Sequence, residues 1–126
     1  MQIVTVLLAA VAALVHVYIF VLESFRWTAP STRRVFGMSA QAAETTRELA
    51  YNQGFYNLFL AVVTVAGLLL WAPVPAAGIA LVLAGTGSMA AAALVLVTRD
   101  PAKARAAMVQ GTAPALAVVS ALLTLL

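Results

Sequence analysis

Cysteine is absent, histidine occurs once, and only four of the 126 residues are acidic. Without thiols the chain can form no disulfide, thiolate metal site or thiol nucleophile. The lone histidine, His16, excludes a histidine-rich metal centre within one chain; neither a metal site nor a cofactor is expected, a haem or metal held by His16 with Glu23 or Glu48 being a remote option. Charge of any kind is scarce: 9% of residues are charged and 64% hydrophobic. A soluble domain carries about a quarter charged and under half apolar residues. A mean hydropathy of +1.05 agrees. The pI near 10.0 rests on seven basic residues, and their positions speak for a membrane, not for nucleic acid.

A bilayer core of roughly 30 Å takes about 20 apolar helical residues. Four runs meet that length, at about 3–22, 54–72, 76–97 and 108–126. The second and third are separated only by Ala72-Pro73-Val74-Pro75, and prolines cannot continue a helix, so a tight hairpin is expected there. Arg26, Arg33, Arg34 and Arg47 lie between spans one and two, and Arg99, Lys103 and Arg105 between spans three and four. The positive-inside rule puts both of these connections in the cytoplasm and both termini outside. The first span has no basic leader and too long an apolar run for a cleavable signal. The length suits one domain: a multi-pass protein of the inner (plasma) membrane.

The connection from Glu23 to Gly54 is the only long one. Its first part, with Pro30 and Ser31, reads as an irregular loop. From Ser39, a good helix cap, Glu44, Arg47, Glu48, Tyr51 and Asn52 recur at helical spacing. The expected fold is therefore all-α, a four-helix transmembrane bundle with a short amphipathic helix between spans one and two. That helix runs along the membrane surface or directly into span two. Helices in lipid pack through small residues. Ala80, Ala84, Ser88 and Ala92 in span three, and Ala113, Ala117 and Ala121 in span four, are expected at contacts inside the bundle. The same stripes suit a homo-oligomer.

Polar residues inside or beside the apolar runs are the candidates for function, because an ionisable group in lipid is costly. His16 lies about 10 Å from the cytoplasmic end of span one. Glu23 follows two turns later on the same face. Histidine as proton acceptor beside an orienting or proton-delivering carboxylate is one reading; a hydrogen-bonded scaffold histidine with Glu23 marking the membrane edge is the other. In the stretch after Arg47, Glu48, Asn52 and Tyr56 share one helix face, Gln53 and Asn57 another, and Tyr51 lies beside them. Amides suit a polar head or carbonyl but do no strong acid/base chemistry, which leaves Glu48 to carry a proton. The plain alternative is an interfacial helix with aromatic anchors. In span four, Pro114 removes the amide that would bond the Gln110 carbonyl, beside a flexible Gly111. Such a break lines a cavity or simply kinks the helix.

The run Asn52-Gln-Gly-Phe-Tyr-Asn57, with His16, Glu23 and Gln110-Gly111 followed by Pro114, resembles the signature of a bacterial family of small membrane proteins. That family is the domain of unknown function 1304. The resemblance spans essentially the whole chain, implies the four-span fold and brings no activity with it.

Three functions compete. The first binds or converts a small lipophilic molecule drawn from the lipid bilayer. In that case His16, Glu23 and Glu48 do the acid/base chemistry, and Tyr51, Asn52, Gln53, Tyr56, Asn57 and Gln110 hold the substrate. The second is a small proton-coupled transporter, weakened by thin polar provision in the outer half. The third is a structural or accessory subunit. A common cavity among these residues would favour the first, and mutual bonding without space the third.

Overall fold

The computed structural model describes all 126 residues. In chain order it contains α1 (Gln2–Phe25), α2 (Pro30–Phe36), α3 (Ala40–Thr45), α4 (Arg47–Leu70), α5 (Pro75–Arg99), a 3-10 turn (Pro101–Lys103) and α6 (Ala104–Leu123). The long helices α1, α4 and α5, and α6 taken with its preceding turn, are long and apolar enough to cross a membrane. They form a square: α1 packs on α4 and α6, α5 packs on the same two, and α1 and α5 scarcely meet across the diagonal. Successive long helices therefore run antiparallel, and every basic residue falls at one end, the charged end.

Only about a third of each span is buried, between 28% and 33% of its most apolar window. The outward faces carry Leu14, Phe59, Leu69, Leu94 and Leu116. An exposed apolar surface that continuous suits lipid and not water. The interior is built from small residues. Ala12, Ala13 and Ala61 pack with Met89 at mid-depth, and Ala9, Val82 and Ala117 pack with Trp71 toward the uncharged end. Alanine seams let helix backbones approach closely, which is where association in lipid gains its dispersion energy.

The hairpin forms where the prolines require it, with Pro75 in the first turn of α5 after the turn at 71–74. The same proline logic explains a departure from expectation. The segment around Pro30 and Ser31 is not an irregular loop but the helix α2, because proline at a helix start lacks only a hydrogen that would have no partner anyway. Gly37, left-handed at φ 64°, ends that helix, and the Met38 amide returns to the Arg33 carbonyl at 3.0 Å. Ser39 caps α3 as expected, accepting from the Ala42 amide at 3.1 Å. The helix then breaks at Thr46 and restarts as α4, so the amphipathic stretch becomes one short helix plus the first turns of a span.

One expected seam is in the wrong place. Ala80, Ala84, Ser88 and Ala92 all face outward, and the buried face of α5 is Gly78, Val82, Gly85, Thr86, Met89 and Ala93. Residues spaced strictly by four rotate about 40° per step around a 3.6-residue helix, so such a row spirals off its neighbour. The real seam alternates steps of four and three. In α6 the expected contacts do form, with Ala117 and Ala121 fully buried.

Candidate functional site

The charged end of the bundle carries two clefts, and α1 is the wall between them. The first lies on the α4 side. It is lined by Glu23, Ser24, Phe25, Trp27 and Thr28 from the end of α1 and the turn after it, by Glu44 of α3, and by Arg47, Glu48, Tyr51 and Asn52 of α4, around about 760 Å³. All three glutamates of the chain meet there. Arg47 is the one basic residue in the lining, and it already pairs with Glu44 at 3.6 Å.

Glu23 is the built part of this cleft. It is buried, and Asn57, also buried, donates its side-chain amide to the Glu23 Oε2 at 2.7 Å. The same Asn57 amide nitrogen also reaches the carbonyl of Gln53, one turn earlier, at 3.2 Å. No basic side chain forms an ion pair with Glu23. The helices can come this close because residue 54 is glycine. A β-carbon there would strike the Ser24 hydroxyl and sit 3.1 Å from both the Glu23 Cβ and the Phe20 carbonyl. The Ser24 hydroxyl donates to the Tyr51 carbonyl at 3.1 Å, a second tie between α1 and α4. The Asn-Gln-Gly-Phe-Tyr-Asn stretch thus has a mechanical meaning: its glycine admits α1, and its last asparagine grips the glutamate.

Aromatic rings close the membrane side. Phe20 meets Phe25 and Phe55 edge-on at 5.3 and 5.0 Å, and Tyr51 lies 5.1 Å from Phe55. Above them Trp27 donates its indole hydrogen to the Thr46 hydroxyl at 3.0 Å and packs against Phe36, the rings tilted with centroids 4.9 Å apart. Trp27 therefore pins the α2–α3 segment over the bundle end.

The second cleft lies on the α6 side of α1, under α2. Val15, Tyr18, Ile19 and Leu22 of α1 face Val109 and Gln110 of α6, and Arg34, Lys103 and Arg105 border it, around about 620 Å³.

The residues singled out in the sequence are thus divided. Glu23, Glu48, Tyr51 and Asn52 share the first cleft, and Asn57 supports it from behind. Gln110 belongs to the second. Gln53 and Tyr56 are exposed and line neither. His16 is buried among the helices and lines neither cleft. Its Nδ1 lies 2.9 Å from the Ala12 carbonyl on its own helix. A carbonyl only accepts, so Nδ1 carries the hydrogen, and a neutral ring keeps its lone pair on Nε2. Pro114 sits fully buried within an unbroken α6. Trp27, Ser24 and Thr28 were not anticipated as lining residues. Their one sequence signal is position, just beyond the last apolar turn of α1, where interfacial side chains collect.

Four antiparallel apolar helices with every basic residue at one end define a small polytopic membrane protein. Its polar side chains gather where the long connection folds back over the bundle. The family model for the protein of unknown function DUF1304 matches residues 10–122, and the chain belongs to that family. No curated protein and no solved structure gives a significant match.

Proposed function

We propose that this protein binds the polar head of a small lipophilic molecule in the glutamate-lined cleft, with Glu23 exchanging a proton with it. The charged end then faces the cytoplasm, following the distribution of basic residues, and the ligand enters from the inner leaflet. The observation that carries this reading is Glu23 itself. It is one of only two buried ionisable side chains, and the one that borders a cleft. Its carboxyl is positioned by Asn57, with no ion-pair partner to neutralise it. A carboxylate held this way accepts a hydrogen bond or a proton from whatever enters. With Glu44 and Glu48 beside it, the cleft favours a donor or cationic head such as a protonated amine. Phe25, Trp27 and Tyr51 supply apolar and π surface for the adjoining carbon atoms. Glu48 and Tyr51 are the further groups through which bound material would be converted and not merely held.

Trp27 makes the test direct. In nanodiscs containing the Trp71→Phe protein, a brominated long-chain alkylamine should quench the remaining indole saturably. A pH-indicator dye in weakly buffered medium should report proton exchange on binding. Glu23→Gln keeps the size of the side chain and an oxygen for Asn57. It should weaken binding at least tenfold and abolish the proton signal. Equal affinity and equal proton exchange in Glu23→Gln would end this reading.

A structural or accessory role has support of its own in the Asn57–Glu23 and Ser24–Tyr51 bonds, which tie α1 to α4. Transport has less. Toward the uncharged end the Thr5 and Ser120 hydroxyls bond each other at 2.7 Å, and Thr64 and Thr86 bond carbonyls of their own helices. Those groups are spent on the protein and not presented to a pathway.

A further inference from the structure

The second cleft has the opposite character, and nothing in the proposal above uses it. Its floor is a groove between α1 and α6, formed by Val15, Ile19, Leu22 and Val109. At 1.5 Å per residue, Val15 lies about 15 Å along α1 from the helix end at Phe25. Tyr18 and Val109 are exposed on the flank of the bundle, so the groove opens sideways toward the bilayer as well as at its end. Its mouth gathers three basic residues from three elements: Arg34 of α2, Lys103 of the 3-10 turn and Arg105 of α6. No acidic side chain lines it. Asp100 stands outside, 3.7 Å from the Lys103 ammonium, and the Arg34 and Arg105 guanidinium groups form no ion pair.

We infer that this cleft holds an anionic, phosphate-bearing lipid of the surrounding bilayer. The headgroup lies among Arg34, Lys103 and Arg105, and one acyl chain lies along α1 and α6. Two features select a lipid over a free anion. The lining is predominantly apolar, so a lone phosphate would leave the groove unfilled. The groove also runs parallel to the span, in the direction an acyl chain takes. Basic pockets between spans on the cytoplasmic side suit anionic headgroups because guanidinium groups pair bidentately with phosphate, at about a fivefold gain in affinity per basic residue near the surface. Gln110 and Ser31 add hydrogen-bonding capacity beneath and beside the cations. The Gln110 carbonyl also keeps a free lone pair, since Pro114 offers it no amide hydrogen.

Native mass spectrometry of the full chain in detergent, titrated with phosphatidylglycerol or with phosphatidylcholine, tests this. One phosphatidylglycerol per chain should be retained, and phosphatidylcholine should not. Replacing Arg34, Lys103 and Arg105 together by glutamine should weaken retention about a hundredfold, the product of three such gains. Val109→Trp, which fills the groove and leaves the charge unchanged, should also abolish it. Glutamine at Arg26, Arg33 and Arg99 removes the same charge from the same end, and it should change retention less than threefold. The assignment is overturned if that control loses as much as the cleft variant, or if Val109→Trp binds normally. It is overturned equally if inorganic phosphate displaces the lipid at matching concentration. None of these outcomes depends on Glu23, so failure here leaves the glutamate cleft standing, and the reverse.

Discussion

The glutamate cleft is held together from inside the protein, whereas the basic cleft is assembled from segments that meet only at the surface. In the first, a buried carboxyl, a buried amide and a glycine fix one geometry between two spans. In the second, three exposed cations sit on α2, a 3-10 turn and the start of α6, and no side-chain hydrogen bond ties the α2 cation to the other two. The two clefts therefore draw their selectivity from different sources. A positioned donor–acceptor pair discriminates by geometry, since a misfit leaves buried groups unpaired. A group of exposed cations discriminates by charge and tolerates varied shapes.

The largest effect is expected from Gly54→Val. The added carbons collide with Ser24 and Glu23, so stability should fall by about 3 kcal/mol, read as the midpoint of unfolding in sodium dodecyl sulfate. Alkylamine quenching of Trp27 should vanish while phosphatidylglycerol retention persists. If both ligands are lost together under folded conditions, the clefts are not independent units.

Asn57→Leu should come next, at about 2 kcal/mol, because it leaves the buried Glu23 oxygen without its donor. Adding Glu23→Met to Asn57→Leu should recover most of that loss, since no polar group then remains stranded. A double mutant as unstable as the sum of its parts would show that the pair contributes packing and little hydrogen bonding. The smallest effect is expected at Thr32, whose hydroxyl is fully buried in α2 without a hydrogen-bond partner. Thr32→Val should leave the unfolding midpoint unchanged or raise it slightly, by up to about 1 kcal/mol. A clear destabilisation would mean that the hydroxyl has a partner in the membrane-embedded protein, and that α2 is more tightly built than its cleft implies.

Much of this fold was legible in the sequence because lipid enforces a simple rule: a span must be long, apolar and internally hydrogen-bonded. The four spans follow from it, while the hairpin follows from its prolines and the start of α3 from the Ser39 cap. The α2 helix was not legible, because proline reads as a breaker until its place at a helix start is known. The Ala80–Ala92 row misleads because a strict interval of four drifts around the helix, and small side chains alone do not say which face meets a neighbour. Of the candidate residues, Glu48, Tyr51 and Asn52 are neighbours in sequence, and helical spacing alone groups them. Glu23 and Asn57 are 34 positions apart, and only the crossing of α1 on α4 reveals their bond. Gln110 belongs to the cleft on the other side of α1, and His16 shares the Glu23 face of α1 but is buried two turns deeper, outside both clefts. Depth can be counted along a sequence, whereas the rotation of one helix against its neighbours cannot.

That rotation carries a consequence of its own. Leu22 and Glu23 are adjacent residues, and they look into opposite clefts. A rigid helix cannot turn one of them without turning the other. If a lipid seated on one side rolls α1 by a few degrees, the carboxyl on the far side shifts its position relative to Asn57. Any change in affinity this produces must be returned in equal measure when the roles are reversed. Bilayer composition would then act as an effector of the glutamate cleft, transmitted by a single helix serving as a common axle.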